Sequence, residues 1–452
     1  MRKVLLVCNY FAPDNTIAAV RTTKLAKYMR QQGYEVTVIA EEKNDTITDS
    51  ILKKDAENIH VIWTKNSKGV LKIIAAYKKV IAPIKDKRYK RLDDRVRVNK
   101  KTGKEEFYPF ETAHAIIGSL DYLFELLRQF DLFKNIKDKL QDYCDYDCLF
   151  TSYGDFFSIF AGIYIHKKKK DLKWIFDIRD SICRYKFTPD YVRWIAKYYE
   201  RYIWREADCI TAVSKGICRN IPKKYWKKVH CVTNGYDVSD RDNIVIDKYD
   251  NGKIKFAYTG AMYGGLQSIT PLFSCIRELI NENKIKKDKV EIHFAGKNTA
   301  YEIFLSQAVK YKLSELCIYH GKVQRKEALK LQMESDILLV SAFDYQDNVM
   351  GVITGKALEY MSANKPIIAM ISGDKDKSEL AEIIQNGRLG IAYEEAHHAE
   401  DIKLLKEYLQ NIFKEYEKKG EIAYEPNRSV LRKYDYRYLS KKMMKIMDAI
   451  MS

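Results

Sequence analysis

The sequence predicts an α/β protein of two doubly wound domains, each a parallel sheet covered by helices. Three observations predict it. Short β-rich runs alternate with helical stretches along the whole 452 residues, the order that produces parallel sheets. The runs are apolar throughout and do not alternate with polar residues, the pattern of strands buried on both faces. An Asn234-Gly235 pair, a strong turn signal, falls between one series of strands and the next.

In the first half, strands are expected at 4–8, 36–40, 60–63, 148–151, 174–177, 209–213 and 229–233. The second half places them at 254–258, 290–295, 317–320, 337–341, 366–370 and, more weakly patterned, 390–393. The break is placed near Asn234-Gly235-Tyr236-Asp237, with the polar stretch 238–251 leading into a new first strand. An N-terminal domain therefore spans 1–235 and a C-terminal one 236–430, and a final helix over 431–452 is placed to pack back on the first domain. Open α/β sheets bind ligands outside the carboxyl ends of their strands, so a crevice between the domains is the expected site.

Residues 65–130 form an insertion in the first domain. Within it, 65–104 carries fifteen Lys or Arg against three Asp, a net +12, and 70–84 mixes apolar and basic residues at helical spacing. Such a helix can lie on an anionic membrane surface. The whole chain has a formal charge of +18, which favours polyanionic partners. Its basic residues match no nucleic-acid-binding module, so nucleic acid is not expected as a partner. The nine cysteines are scattered without the CxxC pairing of a zinc site. An odd number of them, with no secretory segment, points to reduced thiols in a cytoplasm. No apolar run approaches the roughly 18 residues of a membrane span.

The chemistry concentrates in residues 350–370. A loop containing Thr354-Gly355 enters a helix near Lys356, and a helix start offers unpaired N–H groups suited to a diphosphate. Lys356 adds a cation there. Glu359, three residues on, shares its face and can accept hydrogen bonds from ribose hydroxyls. The Asp145-Tyr146-Asp147 triplet has the spacing of a metal-binding motif but reads as a surface turn before a strand.

The run Ile353-Thr354-Gly355-Lys356-Ala357-Leu358-Glu359-Tyr360, followed by Asn364-Lys365-Pro366-Ile367-Ile368-Ala369, resembles the donor-site signature of retaining glycosyltransferase family 4. Other segments agree in order: Asn9-Tyr10-Phe11-Ala12-Pro13, Gly33-Tyr34-Glu35-Val36, Phe176-Asp177-Ile178-Arg179-Asp180, Tyr258-Thr259-Gly260, Phe294-Ala295-Gly296 and His320-Gly321-Lys322-Val323. The resemblance implies the GT-B fold, in which two Rossmann-like domains face each other across a cleft. It places Gly260, Gly264 and Gly265 against a donor diphosphate, Thr354, Gly355 and Lys356 on its phosphates, and Glu359 on the ribose. Arg179 and Asp180 fall where many members carry a catalytic His-Asp pair, although an arginine stays protonated and cannot act as a base.

Two positions depart from the family pattern. Gly351 stands where members often have a glutamate, and the loop after the first C-terminal strand lacks the usual Arg and Lys. Lys297, Lys322 and Arg325 are the cations expected to take over. The resemblance thus implies a metal-independent, hexosyltransferase-type enzyme without a cofactor. It would move a sugar from a nucleotide-diphosphate donor to a polysaccharide or lipid-linked acceptor in cell-envelope synthesis. It would work in the cytoplasm, or peripherally on the inner face of the plasma membrane through 65–104. The rivals are a nucleotide-sugar epimerase of similar fold and, given Gly351, a catalytically silent nucleotide-sugar-binding subunit.

Overall fold

The computed structural model describes residues 2–43, 48–89, 96–98, 105–107, 112–141, 145–180, 189–247, 251–343, 353–374 and 376–452. Gly351 lies outside the described residues, as do 90–95 and 99–104 of the basic stretch. The chain divides into two compact units, Met1–Val232 with Ser440–Ser452, and Thr233–Leu439.

The first unit holds β1 (Lys3–Cys8), β2 (Glu35–Glu41), β3 (His60–Thr64), β4 (Val96–Val98), β5 (Glu105–Phe107), β6 (Cys148–Tyr153), β7 (Lys173–Ile178), β8 (Cys209–Ala212) and β9 (Val229–Cys231). Seven of these form one sheet in the order β3-β2-β1-β6-β7-β8-β9, every neighbouring pair parallel. The order reverses between β1 and β6. Its helices are α1 (Ile17–Gln31), α2 (Ser50–Ala56), α3 (Lys68–Tyr89), α4 (Thr112–Ile136), α5 (Phe156–Lys168), α6 (Asp190–Glu206) and α7 (Lys215–Arg219). β1 shows why the sheet forms where it does: Val4 through Cys8 are all fully buried, and each such Val or Leu contributes about 1.5–3 kcal/mol. Trp174 in β7 is equally buried, and its indole N–H is satisfied by Thr151 Oγ1 at 2.8 Å.

The insertion consists of α3, α4 and, between them, the antiparallel β4–β5 pair. Tyr77 on α3 stacks on Phe124 of α4 with ring centroids 4.1 Å apart, and its hydroxyl donates to Asp121 Oδ1 at 2.9 Å. That contact narrows the apolar face expected to meet a membrane. Ile74 and Ile81, seven residues apart and so on one side of the helix, are buried, while Leu71, Ile73 and Val80 are exposed.

The second unit holds β10 (Ile254–Thr259), β11 (Val290–Ala295), β12 (Cys317–Tyr319), β13 (Ile337–Phe343), β14 (Ile367–Ser372) and β15 (Gly390–Glu394). They form a parallel sheet in the order β12-β11-β10-β13-β14-β15, reversing between β10 and β13. Its helices are α8 (Thr270–Asn281), α9 (Asn298–Lys310), α10 (Arg325–Glu334), α11 (Gly355–Tyr360), α12 (Glu379–Gly387), α13 (His398–Lys419) and α14 (Arg428–Arg432). The last helix, α15 (Tyr436–Met451), begins in this unit and ends in the first. There Lys442 Nζ donates to the Cys231 carbonyl at 2.7 Å, and the Asp448 carboxylate meets Arg2 and the Tyr34 hydroxyl. All thirteen strands read from the sequence are present, with ends within two residues of their expected places; the short β4–β5 pair was not foreseen. The stretch 238–251, read as a polar lead-in, begins instead with a 3-10 turn, Val238–Arg241, whose Asp240 and Arg241 are buried.

Candidate functional site

In the second unit, β10 is followed by Gly260, whose φ of +103° is a conformation that side-chain-bearing residues rarely adopt. A Cβ there would also stand 3.1 Å from Lys356 Cε, so the lysine lies across the turn. α11 is only six residues long, and Thr354 Oγ1 caps it by accepting from the Ala357 N–H at 3.3 Å. Helix dipoles sum over aligned peptides, so so short a helix supplies little field and the charge at this turn comes mainly from the Lys356 ammonium. That Nζ donates to the Tyr258 hydroxyl at 2.8 Å and to the Ala261 carbonyl, and sits 4.4 Å from the Tyr258 ring centroid. Burial pushes it down to about 7.

A lysine held near neutrality beside a glycine turn is primed to respond to an anion. A bound diphosphate would raise the Lys356 pKa, so binding takes up a proton above about pH 7. The affinity of such an anion is therefore expected to be flat below that pH and to fall by up to roughly tenfold per pH unit above it. Calorimetric titrations in buffers of different ionisation enthalpy, from about pH 6 to 9, read both the slope and the proton uptake.

Behind this turn, Glu359 is locked in a network. Its Oε2 accepts from Arg325 Nε at 3.1 Å and its Oε1 from Gln332 Nε2 at 2.9 Å. Arg325 Nη2 also reaches Asp240 at 2.7 Å. Gln332, fully buried on α10, donates to Thr259 Oγ1 at 3.0 Å and accepts from Arg241 Nη2 at 2.6 Å. Burial lowers Arg241 to about 10, against the opposing charge of Glu359. The Arg325 guanidinium and the Gln332 amide thus fix the Glu359 carboxylate in one orientation, with Arg241 holding Gln332 and the Glu359 backbone carbonyl, while lone pairs are left for a diol.

The structure joins Gly260 to Lys356 and Arg325 to Glu359. Arg325, expected as a phosphate cation, directs Nε and Nη2 to carboxylates. Lys297 and Lys322 are exposed at the ends of β11 and β12, and among the described residues neither forms an ion pair. Gly264 packs beside the Ile303 side chain, and Gly265 is an exposed turn residue with φ +71°. Tyr258, Asp240, Arg241 and Gln332 were missed by sequence reasoning. Tyr258 lay within a quoted motif, but nothing local marks the other three.

In the first unit, Asp177 is fully buried in β7 and is held by Arg21 through bonds of 2.9 and 2.7 Å. Ser152 Oγ and Thr211 Oγ1 donate to it at 3.0 and 2.6 Å. Burial alone would raise its carboxyl, but the Arg21 charge and these donors hold it below the usual range. This pair braces the sheet. Arg179, just beyond, has its guanidinium carbon 5.8 Å from the Tyr10 ring centroid. Burial lowers its pKa, with Asp177 opposing. Its Nη1 has no hydrogen-bond partner among the described residues. Asp180 is exposed.

No protein-family model matches the chain, and none of the curated proteins matches it. Solved structures do. It is similar to sucrose-phosphate synthase from Thermosynechococcus elongatus, at 11% identity with TM-score 0.58, covering 99% of both chains. It is similar to a lipopolysaccharide outer core galactosyltransferase, at 13% identity with TM-score 0.54 and again 99% of both chains. A proposed UDP-N-acetylglucosamine 2-epimerase from Listeria monocytogenes follows at 10% identity and TM-score 0.51, covering 99% of this chain and 96% of that one. The likeness runs the length of the chain and defines its class: this is a GT-B fold, with two parallel α/β sheets of Rossmann type.

Proposed function

We propose that this protein is a retaining glycosyltransferase of family 4. It transfers a hexosyl unit from a nucleotide-diphosphate sugar to a saccharide or lipid-linked acceptor during assembly of a surface polysaccharide. The observation that carries this reading is the seat in the second unit, where a part-buried ammonium crosses a glycine turn beside a carboxylate fixed by Arg325 and Gln332. Lys356, with the Gly260 turn and the Thr354-Gly355 backbone, holds the diphosphate; Glu359 holds the ribose. Exposed Lys297 and Lys322 and the turn at Gly264 and Gly265 complete the donor site. The bond from the sugar's anomeric carbon to the diphosphate breaks, the acceptor oxygen bonds to that carbon, and the acceptor proton leaves on the departing phosphate. Catalysis is then mostly positioning and charge stabilisation, and needs no metal.

The test is a panel of nucleotide sugars with saccharide and lipid-linked acceptors, read by mass spectrometry for transfer and by proton NMR for the new anomeric configuration. A second reading, favoured by the epimerase among the structural neighbours, predicts isomerised sugar nucleotide without any acceptor. That product would replace the transferase; inversion at the anomeric carbon would remove the retaining assignment.

Arg179, with Asp180 beside it, belongs to the acceptor side. Arg179→Ala is expected to lower kcat by on the order of a hundredfold, the scale of a lost charge-stabilising donor, with donor affinity unchanged. Arg179→Lys should recover little, because a planar fork and an ammonium are not equivalent. Full turnover in Arg179→Ala would remove it from the site.

The protein is further proposed to work in the cytoplasm, peripherally on the membrane's inner face. Among the described residues no helix is long and apolar enough to cross a membrane. α3 does expose Leu71, Ile73 and Val80 among exposed Lys72, Lys78 and Lys79, and a basic residue near an anionic surface contributes about 1 kcal/mol. Co-sedimentation with phosphatidylserine vesicles is expected at low salt and should drop several-fold when Lys78, Lys79, Lys85, Lys87 and Arg88 become Gln. Equal binding by both proteins would rule the segment out.

A further inference from the structure

The carboxyl ends of β1 and β6 lie side by side where the strand order of the first unit reverses, the place where open α/β sheets take ligands. What gathers there is polar and buried. Asn9 follows β1 and is 1% exposed; Glu41 ends β2 and is 7% exposed. On α4, Gln129 Oε1 accepts from Asn9 Nδ2 at 2.7 Å and from the Phe157 N–H at 3.1 Å. Its neighbour Arg128 bonds Glu125 and Glu41 Oε1. Asp155 occupies the N-cap of α5 yet makes no capping bond; Gln129 has taken an N–H that it would ordinarily serve. Its carboxylate instead receives the Tyr10 hydroxyl at 3.4 Å.

Polar atoms are left over. Asn9 Oδ1, Glu41 Oε2 and Arg179 Nη1 are buried without a hydrogen-bond partner among the described residues, and each such atom costs about 1–3 kcal/mol. Tyr10 ties them together. It follows Asn9 in sequence, feels the charges of Asp155, Glu41 and Arg179, and packs on the backbone of Gly154. A Cβ at 154 would meet Tyr10 Cδ2 at 2.9 Å and stand 3.6 Å from Arg179 Nη1.

We propose that this pocket binds an uncharged, hydroxyl-rich saccharide end through Asn9 Oδ1, Glu41 Oε2, the Asp155 carboxylate and Arg179 Nη1. The proposal rests on the transferase reading, and the bound group is its acceptor sugar. Acceptor atoms outnumber donors here, which suits hydroxyls. Arg128 offsets the Glu41 and Glu125 carboxylates, and the Lys43 ammonium lies 3.5 Å from the Tyr10 ring centroid. The preference for hydroxyls therefore rests on the unpartnered acceptor oxygens, while Arg179 supplies one donor for a ring or hydroxyl oxygen. Burial, then Glu125 and Glu41 opposed by Arg128 and the Tyr10 hydroxyl, raises Asp155 to about 7. A ligand hydroxyl donating to the ionised form therefore makes saccharide binding stronger as pH rises through that value.

The test uses the full-length protein and saturation-transfer NMR with the methyl glycosides of glucose, galactose, mannose and N-acetylglucosamine, alongside glucose 1-phosphate. Calorimetric titration with nucleotide sugars is run on the same samples. At least one methyl glycoside is expected to receive saturation, to bind more tightly at about pH 8 than at about pH 6, and to bind at least roughly tenfold more weakly to Glu41→Gln and Asp155→Asn. Nucleotide-sugar affinity should be the same in all three proteins. Tryptophan fluorescence checks that the buried Glu41→Gln variant is folded, and the part-buried Asp155→Asn variant tests the pocket independently. Donor binding without any glycoside signal overturns the pocket and leaves the transferase standing, as does a preference for glucose 1-phosphate or undiminished binding in both variants. Absence of donor binding overturns the transferase reading itself.

Discussion

Lys356→Ala is expected to weaken nucleotide-sugar binding by on the order of ten- to a hundredfold, because charge-assisted hydrogen bonds contribute about 1.5–3 kcal/mol. It should also abolish the fall in affinity above neutral pH. The fold is expected to tolerate the change: the lysine's partners are one hydroxyl and one carbonyl, and Tyr258 OH keeps its own bond to Ala261 O at 2.9 Å. Glu359→Ala should lose donor affinity on a similar scale but with a stability cost, since it strips Arg325 and Gln332 of a shared acceptor. Calorimetric affinity and thermal unfolding measured together separate the two cases. Wild-type affinity in both variants would dismantle the donor-site assignment.

The largest stability effect is expected at Arg21 and Asp177, with side chains 1% and 0% exposed. Removing either partner leaves an uncompensated buried charge, which typically costs about 3–5 kcal/mol. Arg21→Met strands Asp177 among the hydroxyls of Ser152 and Thr211; Asp177→Asn strands the guanidinium. All five tryptophans, Trp63, Trp174, Trp194, Trp204 and Trp226, lie in the first unit. Tryptophan fluorescence during urea unfolding therefore reports that unit alone. Each single variant should shift its midpoint strongly downward, and the double variant should lose less than the sum, because the charges are coupled. Additive losses would show that the two residues act separately.

Much of this protein was legible in its sequence. Thirteen strands and two sheets followed from short apolar runs, since a strand buried on both faces must be apolar along its own length. The glycine turn at Gly260 and the placing of Lys356 and Glu359 three residues apart on α11 were likewise local patterns. Pairing across the fold was not legible. Asp177 sat in a motif that suggested chemistry, yet its partner Arg21 is 156 residues away, and their ion pair makes it a brace. Arg325 looked like a free cation until Asp240, 85 residues distant, took its guanidinium. The apolar face of α3 was expected to meet a membrane, but α4 covers part of it. Asn9, Glu41 and Asp155 share no spacing at all. Local sequence determines which residues can form a strand, helix or turn, whereas the partners of a buried charge are chosen by strand order and helix packing. Only the tertiary structure could therefore decide which buried polar groups find partners and which are left without one among the described residues.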